Sequence, residues 1–163
     1  MEHSVESVNQ TDNVKTVAIG SDHGGYPAKE TLKAYLEMLG YTVKDVGTYS
    51  TDSVDYPDFA VAVARAVAGG TCDRGIMIDG AGIGSVMVCN KVRGIRAALC
   101  YDQRTVVNSR EHNNANVLTL GGPLHSPDEL CGMARTWLET RFAGGRHWRR
   151  INKMMAVERG KNE

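Results

Sequence analysis

The feature that most constrains the fold is a regular alternation of short apolar runs with longer segments whose apolar residues repeat at helical spacing. The apolar runs predict five β-strands, over Val14–Ile19, Tyr41–Val46, Gly75–Ile78, Ile95–Cys100 and Asn116–Leu120. The other segments predict helices over Ala28–Leu39, Pro57–Val67, Ser85–Lys91, Gln103–Glu111 and Pro127–Thr140. Since strand–helix–strand units form right-handed crossovers, the sequence predicts a three-layer α/β/α sandwich around a five-stranded parallel sheet.

The length of 163 residues fits one domain whose core needs neither disulfides nor metal. Met1–Asn13 is polar and lacks periodicity, so we expect a flexible extension. The alternative is a docking peptide for a larger assembly, such as a bacterial microcompartment. Residues 14–159 are expected to form one domain that includes a C-terminal helix, and residues 160–163 a short tail.

The composition excludes several classes of partner. The 19 Lys and Arg balance the 19 Asp and Glu, which gives no electrostatic reason to expect nucleic acid or an acidic membrane. No apolar run approaches the roughly 20 residues of a membrane span, and no signal peptide is recognisable, so we expect a cytoplasmic protein that binds a small molecule. Four cysteines without a CxxC pair predict reduced thiols rather than a zinc site or disulfides: Cys72, Cys89, Cys100 and Cys131.

A glycine-rich turn follows the third predicted strand, in the sequence GIMIDGAGIGSVMVCNK. Its glycines, Gly80, Gly82 and Gly84, match neither the GxGxxG dinucleotide fingerprint nor the GxxxxGK[ST] P-loop. Glycines let the backbone approach a ligand, and the free amides at the start of a helix favour negative charge. The turn therefore predicts a site for a small anionic or enolate-like ligand.

Asp79 stands at the carboxyl end of that strand, where open α/β sheets bind their ligands. The loop after the first strand reaches the same edge and carries Asp22 and His23, so these three side chains are expected to converge. A second interpretation is that the Asp79 carboxylate caps the turn or the following helix. The local sequence leaves both interpretations open.

Two further groups of polar residues also have an ordinary interpretation. His112 follows the predicted helix Gln103–Glu111, where it can be a capping or solvent-exposed histidine. Arg146 and Arg150 lie in the sequence GGRHWRR, which can be a solvated basic turn.

Six motifs taken together resemble the ribose-5-phosphate isomerase type B and galactose-6-phosphate isomerase family. The motifs are SDHGGYPAKE, DYP, GAGIG followed by NK, GIRAALC, SREHNNANVL and GGRH followed by RR. They occur in one order and spacing from Lys15 to Glu158, which is nearly the whole chain. The resemblance implies a Rossmann-like domain, a homodimer or tetramer with active sites shared between subunits, and no metal or organic cofactor.

The reaction that the resemblance implies interconverts an aldose phosphate and a ketose phosphate through an enediol. His112 would cross to the neighbouring subunit's site and help to open the sugar ring, and Asn113 would steady the intermediate. Asp22 would hold sugar hydroxyls and assist ring opening, with His23 near the phosphate or a hydroxyl.

The other residues implied by the resemblance bind the substrate. Arg146 and Arg150 would reach the phosphate from the partner chain, a role that suits the charged, planar guanidinium group. Tyr56, in the DYP motif, would contact the sugar phosphate. The backbone amides expected to face the enediolate oxygen are those of Gly80, Ala81, Gly82 and Gly84.

Several positions depart from the family pattern. Many members carry a catalytic Cys where this chain has Asp79 and a Thr or Ser at the position of Ala81. Another branch places Gly at the position of Asp79 and a Glu base at that of Ser85. Because a carboxylate is ionised without special activation, Asp79 is predicted to be the base, with Ser85 or water in place of the lost hydroxyl. Pro123 replaces an arginine that often binds phosphate, and His125 is its candidate substitute.

Three functions remain open. The first is isomerisation of ribose 5-phosphate to ribulose 5-phosphate with Asp79 as base. The second is isomerisation of another sugar phosphate, a tetrose or a hexose, which the departures at Asp79, Ala81 and Pro123 suggest. The third is a non-catalytic sugar-phosphate-binding subunit that kept the pocket and lost the reaction.

Overall fold

Five strands form one sheet in the computed structural model, which describes residues 12–161. The strands are β1 (Thr16–Ser21), β2 (Thr42–Asp45), β3 (Arg74–Asp79), β4 (Ala97–Leu99) and β5 (Val117–Gly121). Every neighbouring pair is parallel, and the order across the sheet is β2-β1-β3-β5-β4. Because β1 and β3 are neighbours, the loops that follow them lie side by side at one edge of the sheet.

Six helices accompany the sheet. They are α1 (Tyr26–Met38), α2 (Tyr56–Ala68), α3 (Ile83–Cys89), α4 (Gln103–Glu111), α5 (Pro127–Glu139) and α6 (Arg146–Glu158), with a 3-10 turn at Gly122–Leu124. Helices α1, α4 and α5 cover one face, and α2 and α3 cover the other. None of the helices within residues 12–161 is both long enough and apolar enough to cross a bilayer.

Alternate residues of β3 build the two halves of the core, as the period of a strand requires. Ile76 and Ile78 pack in the cluster that contains Trp137 of α5, whereas Met77 packs in the cluster that contains Val63 of α2. All five side chains are fully buried. A strand that is apolar on both faces needs a helical layer on each, so the predicted three-layer α/β/α sandwich with a five-stranded parallel sheet is confirmed.

The element boundaries differ from the sequence prediction at particular points. β4 covers three residues rather than Ile95–Cys100, since it is an edge strand that pairs only with β5. α3 begins at Ile83 instead of Ser85, because Gly82 adopts a φ of 75° and turns the chain into the helix there. Arg146 and Arg150 lie on α6 and not in a turn.

The predicted N-terminal extension falls largely outside the described residues, since residues 1–11 are not described. Asp12 belongs to that extension, yet its carboxylate lies 3.1 Å from a guanidinium nitrogen of Arg74 and 3.1 Å from one of Arg110. The backbone N–H of Phe142 also donates to it, at 3.4 Å. The end of the extension is therefore attached to the domain through one acidic side chain.

Candidate active site

The carboxyl ends of β1 and β3 bring Asp22 and Asp79 to one edge of the sheet. Ser21 and Ile78 are register partners, and the Asp22 N–H donates to the Ile78 carbonyl at 3.2 Å. The Asp22 carboxylate accepts the Gly25 N–H at 2.9 Å. A Cβ on Gly25 would collide with the Ile78 carbonyl, so glycine is what allows the two loops to approach.

The Asp79 carboxylate is buried, with 5% of the residue exposed, and it receives four hydrogen bonds from the start of α3. One oxygen accepts the N–H groups of Ala81, at 3.2 Å, and of Gly82. The other accepts the Ser85 N–H at 3.3 Å and the Ser85 hydroxyl at 2.6 Å. A carboxylate has about four lone-pair positions, so all of them have a donor here. Asp79 thus caps the turn, which was the second interpretation of its sequence. It also lies at the carboxyl end of β3, where the sequence predicts the ligand site.

Some backbone N–H groups of the glycine turn bind Asp79, and others have no acceptor in the described part of the chain. Ala81, Gly82 and Ser85 donate to Asp79, whereas the N–H groups of Gly80, Ile83 and Gly84 have no acceptor within residues 12–161. These unpaired groups lie at the positive end of α3, so they can still receive an anionic oxygen.

His23 and Tyr56 complete the polar surroundings of this edge. The His23 Nδ1 lies 3.2 Å from both the N and the O of Val54, in the loop that leads into α2. Tyr56 is the first residue of α2, is 37% exposed, and places its ring against Gly84. A Cβ on Gly84 would overlap that ring, so the glycine makes room for the tyrosine over the start of α3.

The other predicted site residues form a separate group at the opposite end of the strands, where the strands begin. His112 is the C-cap residue directly after α4, in the connection to β5, and Asn113 follows it. Arg146 and Arg150 lie in the first turns of α6. The α4–β5 connection lies at the edge where strands start, whereas Asp79 lies where they end. One chain therefore does not bring His112 and Asp79 together.

Two residues in this second group were not predicted from the sequence. His147 stacks on His112, with ring centroids 4.3 Å apart and an angle of 14° between the planes. The Asn108 amide lies 3.0 Å from the His112 Nδ1, and the Asn113 amide donates to the Asn108 side chain at 3.2 Å. Burial, together with the charges of Arg146 and Arg150, lowers the pKa of His147. The contact between Asn108 and His112 could have been predicted, because residues four apart are neighbours on the surface of a helix.

Pro123 lines a small apolar cavity beside the first loop. Pro123 lies in the 3-10 turn after β5 and, with Gly24, Pro27 and His125, lines a cavity of about 330 Å³. His125 Nε2 is buried without a partner in the described part of the chain, and Nδ1 lies 3.8 Å from Glu129. Within residues 12–161, no group of three His, Cys, Asp or Glu side chains is placed to hold a metal ion.

The fold and the sequence can now be compared with known proteins. The sequence pattern of the family described as Ribose/Galactose Isomerase matches residues 17–154. The chain belongs to this family. The match includes every strand except the first residue of β1, and it includes both groups of site residues.

Members of the family are similar to the chain over almost their full length. Ribose-5-phosphate isomerase B of Escherichia coli is 39% identical over 149 residues, which are 91% of this chain and 100% of that protein. The solved structure of ribose-5-phosphate isomerase B from Clostridium thermocellum has a TM-score of 0.88 at 46% identity, covering 90% of this chain and 99% of that one. The Mycoplasma genitalium enzyme, solved with bound ribulose-5-phosphate, has a TM-score of 0.85 at 38% identity and covers 88% and 96%. The chain is thus a sugar-phosphate isomerase, an intramolecular oxidoreductase.

Proposed function

We propose that the chain interconverts ribose 5-phosphate and ribulose 5-phosphate through an enediol, with Asp79 as the base. The observation that carries this proposal is the position of the Asp79 carboxylate, beside Asp22 and at the positive end of α3. The relatives from Escherichia coli and Clostridium thermocellum are ribose-5-phosphate isomerases by name, which supports the pentose over other sugars.

In the proposed reaction, Asp79 removes a proton from C2 of the open-chain sugar and returns it to C1. The free N–H groups of Gly80, Ile83 and Gly84 stabilise the oxygen that becomes negative. Asp22 is fixed by the Gly25 N–H through one oxygen, which leaves its other oxygen for the sugar hydroxyls. No step of this scheme requires a metal or an organic cofactor.

Asp79 must release one hydrogen bond to act as a base, because each of its oxygens already accepts two. The contacts from the Ala81 N–H, at 3.2 Å, and the Ser85 N–H, at 3.3 Å, are the longest of the four. Long hydrogen bonds are the weakest, so a small movement of the turn on substrate binding exposes one lone pair at low cost. The shorter contact, from the Ser85 hydroxyl at 2.6 Å, then holds the carboxylate in orientation.

The second group of site residues is proposed to act in the site of a neighbouring subunit, in a homodimer or a tetramer. His112 and Asn113 open and steady the sugar there, and Arg146 and Arg150 bind its phosphate. Their position at the opposite edge from Asp79 supports this, because a site that needs both groups needs two chains. A groove of about 940 Å³ beside edge strand β4 offers apolar surface for the contact, including the exposed Tyr101.

Replacing Asp79 with Asn tests the proposed base. The variant keeps the shape of the side chain and loses the proton acceptor, so kcat for ribose 5-phosphate is expected to fall by at least ~100-fold. A coupled assay for ribulose 5-phosphate measures the rate, and thermal unfolding shows that the fold is retained. The matched control is Asp52→Asn, an exposed loop carboxylate whose loss should leave the rate unchanged. Retained turnover in Asp79→Asn contradicts the assignment.

Similarity to ribose-5-phosphate isomerases favours the isomerase, and substrate panels separate it from the two alternative functions. The four donors on Asp79 would also suit a carboxylate that only caps the turn, as in a sugar-phosphate-binding subunit that has lost the reaction. The other alternative is a tetrose or hexose phosphate as the substrate. Assays with four- to six-carbon sugar phosphates identify a changed substrate. Binding of these sugars by calorimetry without turnover identifies a non-catalytic subunit.

A further inference from the structure

The isomerisation requires a proton relay, and the side chains expected from the sequence do not supply one. Besides the proton that moves between carbons, one proton must pass from the O2 hydroxyl to O1. Ala81 has no hydroxyl at the position where relatives carry Thr or Ser. The Ser85 hydroxyl donates to Asp79 at 2.6 Å, and Ser85 is fully buried, so it is not available to a substrate.

Other hydroxyl groups near the start of α3 are also engaged or enclosed. Thr119 donates to the Gly82 carbonyl at 2.9 Å and is fully buried. Ser21, at the end of β1, has no partner in the described residues, but it too is completely buried. A side-chain hydroxyl that acts on a sugar in the open crevice therefore belongs to another element.

The Tyr56 hydroxyl meets this requirement. It projects from the first residue of α2 over the start of α3, where a Cβ built on Gly84 would lie 2.6 Å from it. Tyr56 is 37% exposed, and its hydroxyl makes no hydrogen bond within residues 12–161. Gly84 is also one of the residues whose N–H is free, so the phenol and the unpaired amides share one location. A phenol both donates and accepts hydrogen bonds, as a proton relay must.

We infer that Tyr56 is the residue that relays the proton between O1 and O2 of the substrate, an inference that rests on the proposed function. Asp79 takes the C2 proton, the electron pair of that bond forms the C1–C2 double bond, and the carbonyl pair moves to O1. Tyr56 gives its proton to O1 and takes the proton of the O2 hydroxyl. The O2 pair then forms the new carbonyl while C1 takes the proton from Asp79. Tyr56 and Asp79 both end in their starting states, so the step balances.

Replacing Tyr56 with Phe removes the hydroxyl and keeps the ring against Gly84. We expect kcat for ribose 5-phosphate to fall about 100-fold, with KM changed by less than about threefold, because the relay acts in the transition state. The matched control is Tyr49→Phe, an exposed tyrosine whose hydroxyl donates to the Asp45 carbonyl at 3.2 Å, and its rate should be unchanged.

A second variant separates a relay from a structural role. Adding Ala81→Thr to Tyr56→Phe places a hydroxyl where relatives have one, and it should recover at least tenfold in kcat. The relay is contradicted if Tyr56→Phe keeps a kcat within about twofold of the unmodified protein, if it raises only KM, or if Ala81→Thr gives no recovery. If the unmodified chain fails to isomerise ribose 5-phosphate at all, the proposed function fails, and the relay with it.

Discussion

At the scale of single residues, the proposed base Asp79 can be compared with the one thiol of α3, Cys89, which is the last residue of that helix. Burial, assisted by the negative charge of Asp79, raises the pKa of Cys89 to about 12, so this group stays a neutral thiol and is not a candidate for the base. The Asp79 carboxylate meets a different obstacle as a base, because the turn already occupies its lone pairs.

The lowered pKa of the single residue His147 predicts that the stability of the domain depends on pH. Burial first, and then the charges of His112, Arg146 and Arg150, lower its pKa below the value of about 6.5 in the unfolded chain. Because the unfolded state binds the proton more readily, this contribution to stability is present above about pH 6.5 and is lost as the pH falls through the lower folded pKa.

The expected result is a fall in the free energy of unfolding between pH 7 and pH 5 that is smaller in His147→Asn than in the unmodified protein. Urea unfolding at both pH values measures it. The carboxylates with lowered pKa, Asp45, Asp73 and Asp102, lose their contribution only at more acidic pH, so they do not interfere in this range. Equal pH dependence in the two proteins contradicts the prediction.

At the scale of elements, Asp12 joins segments that are far apart in sequence. It pairs with Arg74 at the start of β3 and Arg110 near the end of α4, and it accepts the Phe142 N–H in the loop before α6. Arg110 is almost fully buried, and burial lowers its pKa to about 10. A buried guanidinium without a counter-ion is costly, so the loop that leads to Arg146 depends on this carboxylate.

Removal of the Asp12 side chain is therefore expected to destabilise the domain by about 3 kcal/mol, the lower end of the cost of breaking a buried ion pair, because Asp12 is itself partly exposed. Chemical denaturation of Asp12→Ala measures the effect. Asp52→Ala is the control, since it removes an exposed carboxylate and should change stability by less than about 0.5 kcal/mol. If the two variants are equally stable, the ion pairs of Asp12 do not support the domain.

At the scale of the whole molecule, Asp79 and His112 lie at opposite ends of the strands. The proposed site that combines them across two subunits can therefore be tested with mixed oligomers. Asp79→Asn and His112→Asn should each be inactive alone, because every site in either protein lacks one group. In a mixed dimer, one of the two sites combines an intact Asp79 with an intact His112. Subunit exchange of equal amounts should then restore about a quarter of the normal activity. No recovery, with exchange verified by mass spectrometry, contradicts a site built from two chains.

Much of the fold was predictable because it depends on local patterns. The apolar run at Ile76–Ile78 and the periodic helices determine the three layers, since each buried face needs a partner. The strand order was not predictable in the same way. β5 lies between β3 and β4, and only the packing of the layers decides which strand takes the edge.

The sequence by itself determined the family, the layered architecture and the edge of the sheet at which Asp22 and Asp79 meet, because a parallel strand always delivers its following loop to its carboxyl end. Only the tertiary structure decided how the polar groups are used. It assigned the Ser85 hydroxyl to Asp79, left the Tyr56 hydroxyl free, stacked His147 on His112, and paired Asp12 with two arginines. Hydrogen bonds and ion pairs join residues that are distant in sequence, so their partners follow from packing in three dimensions and from no local pattern.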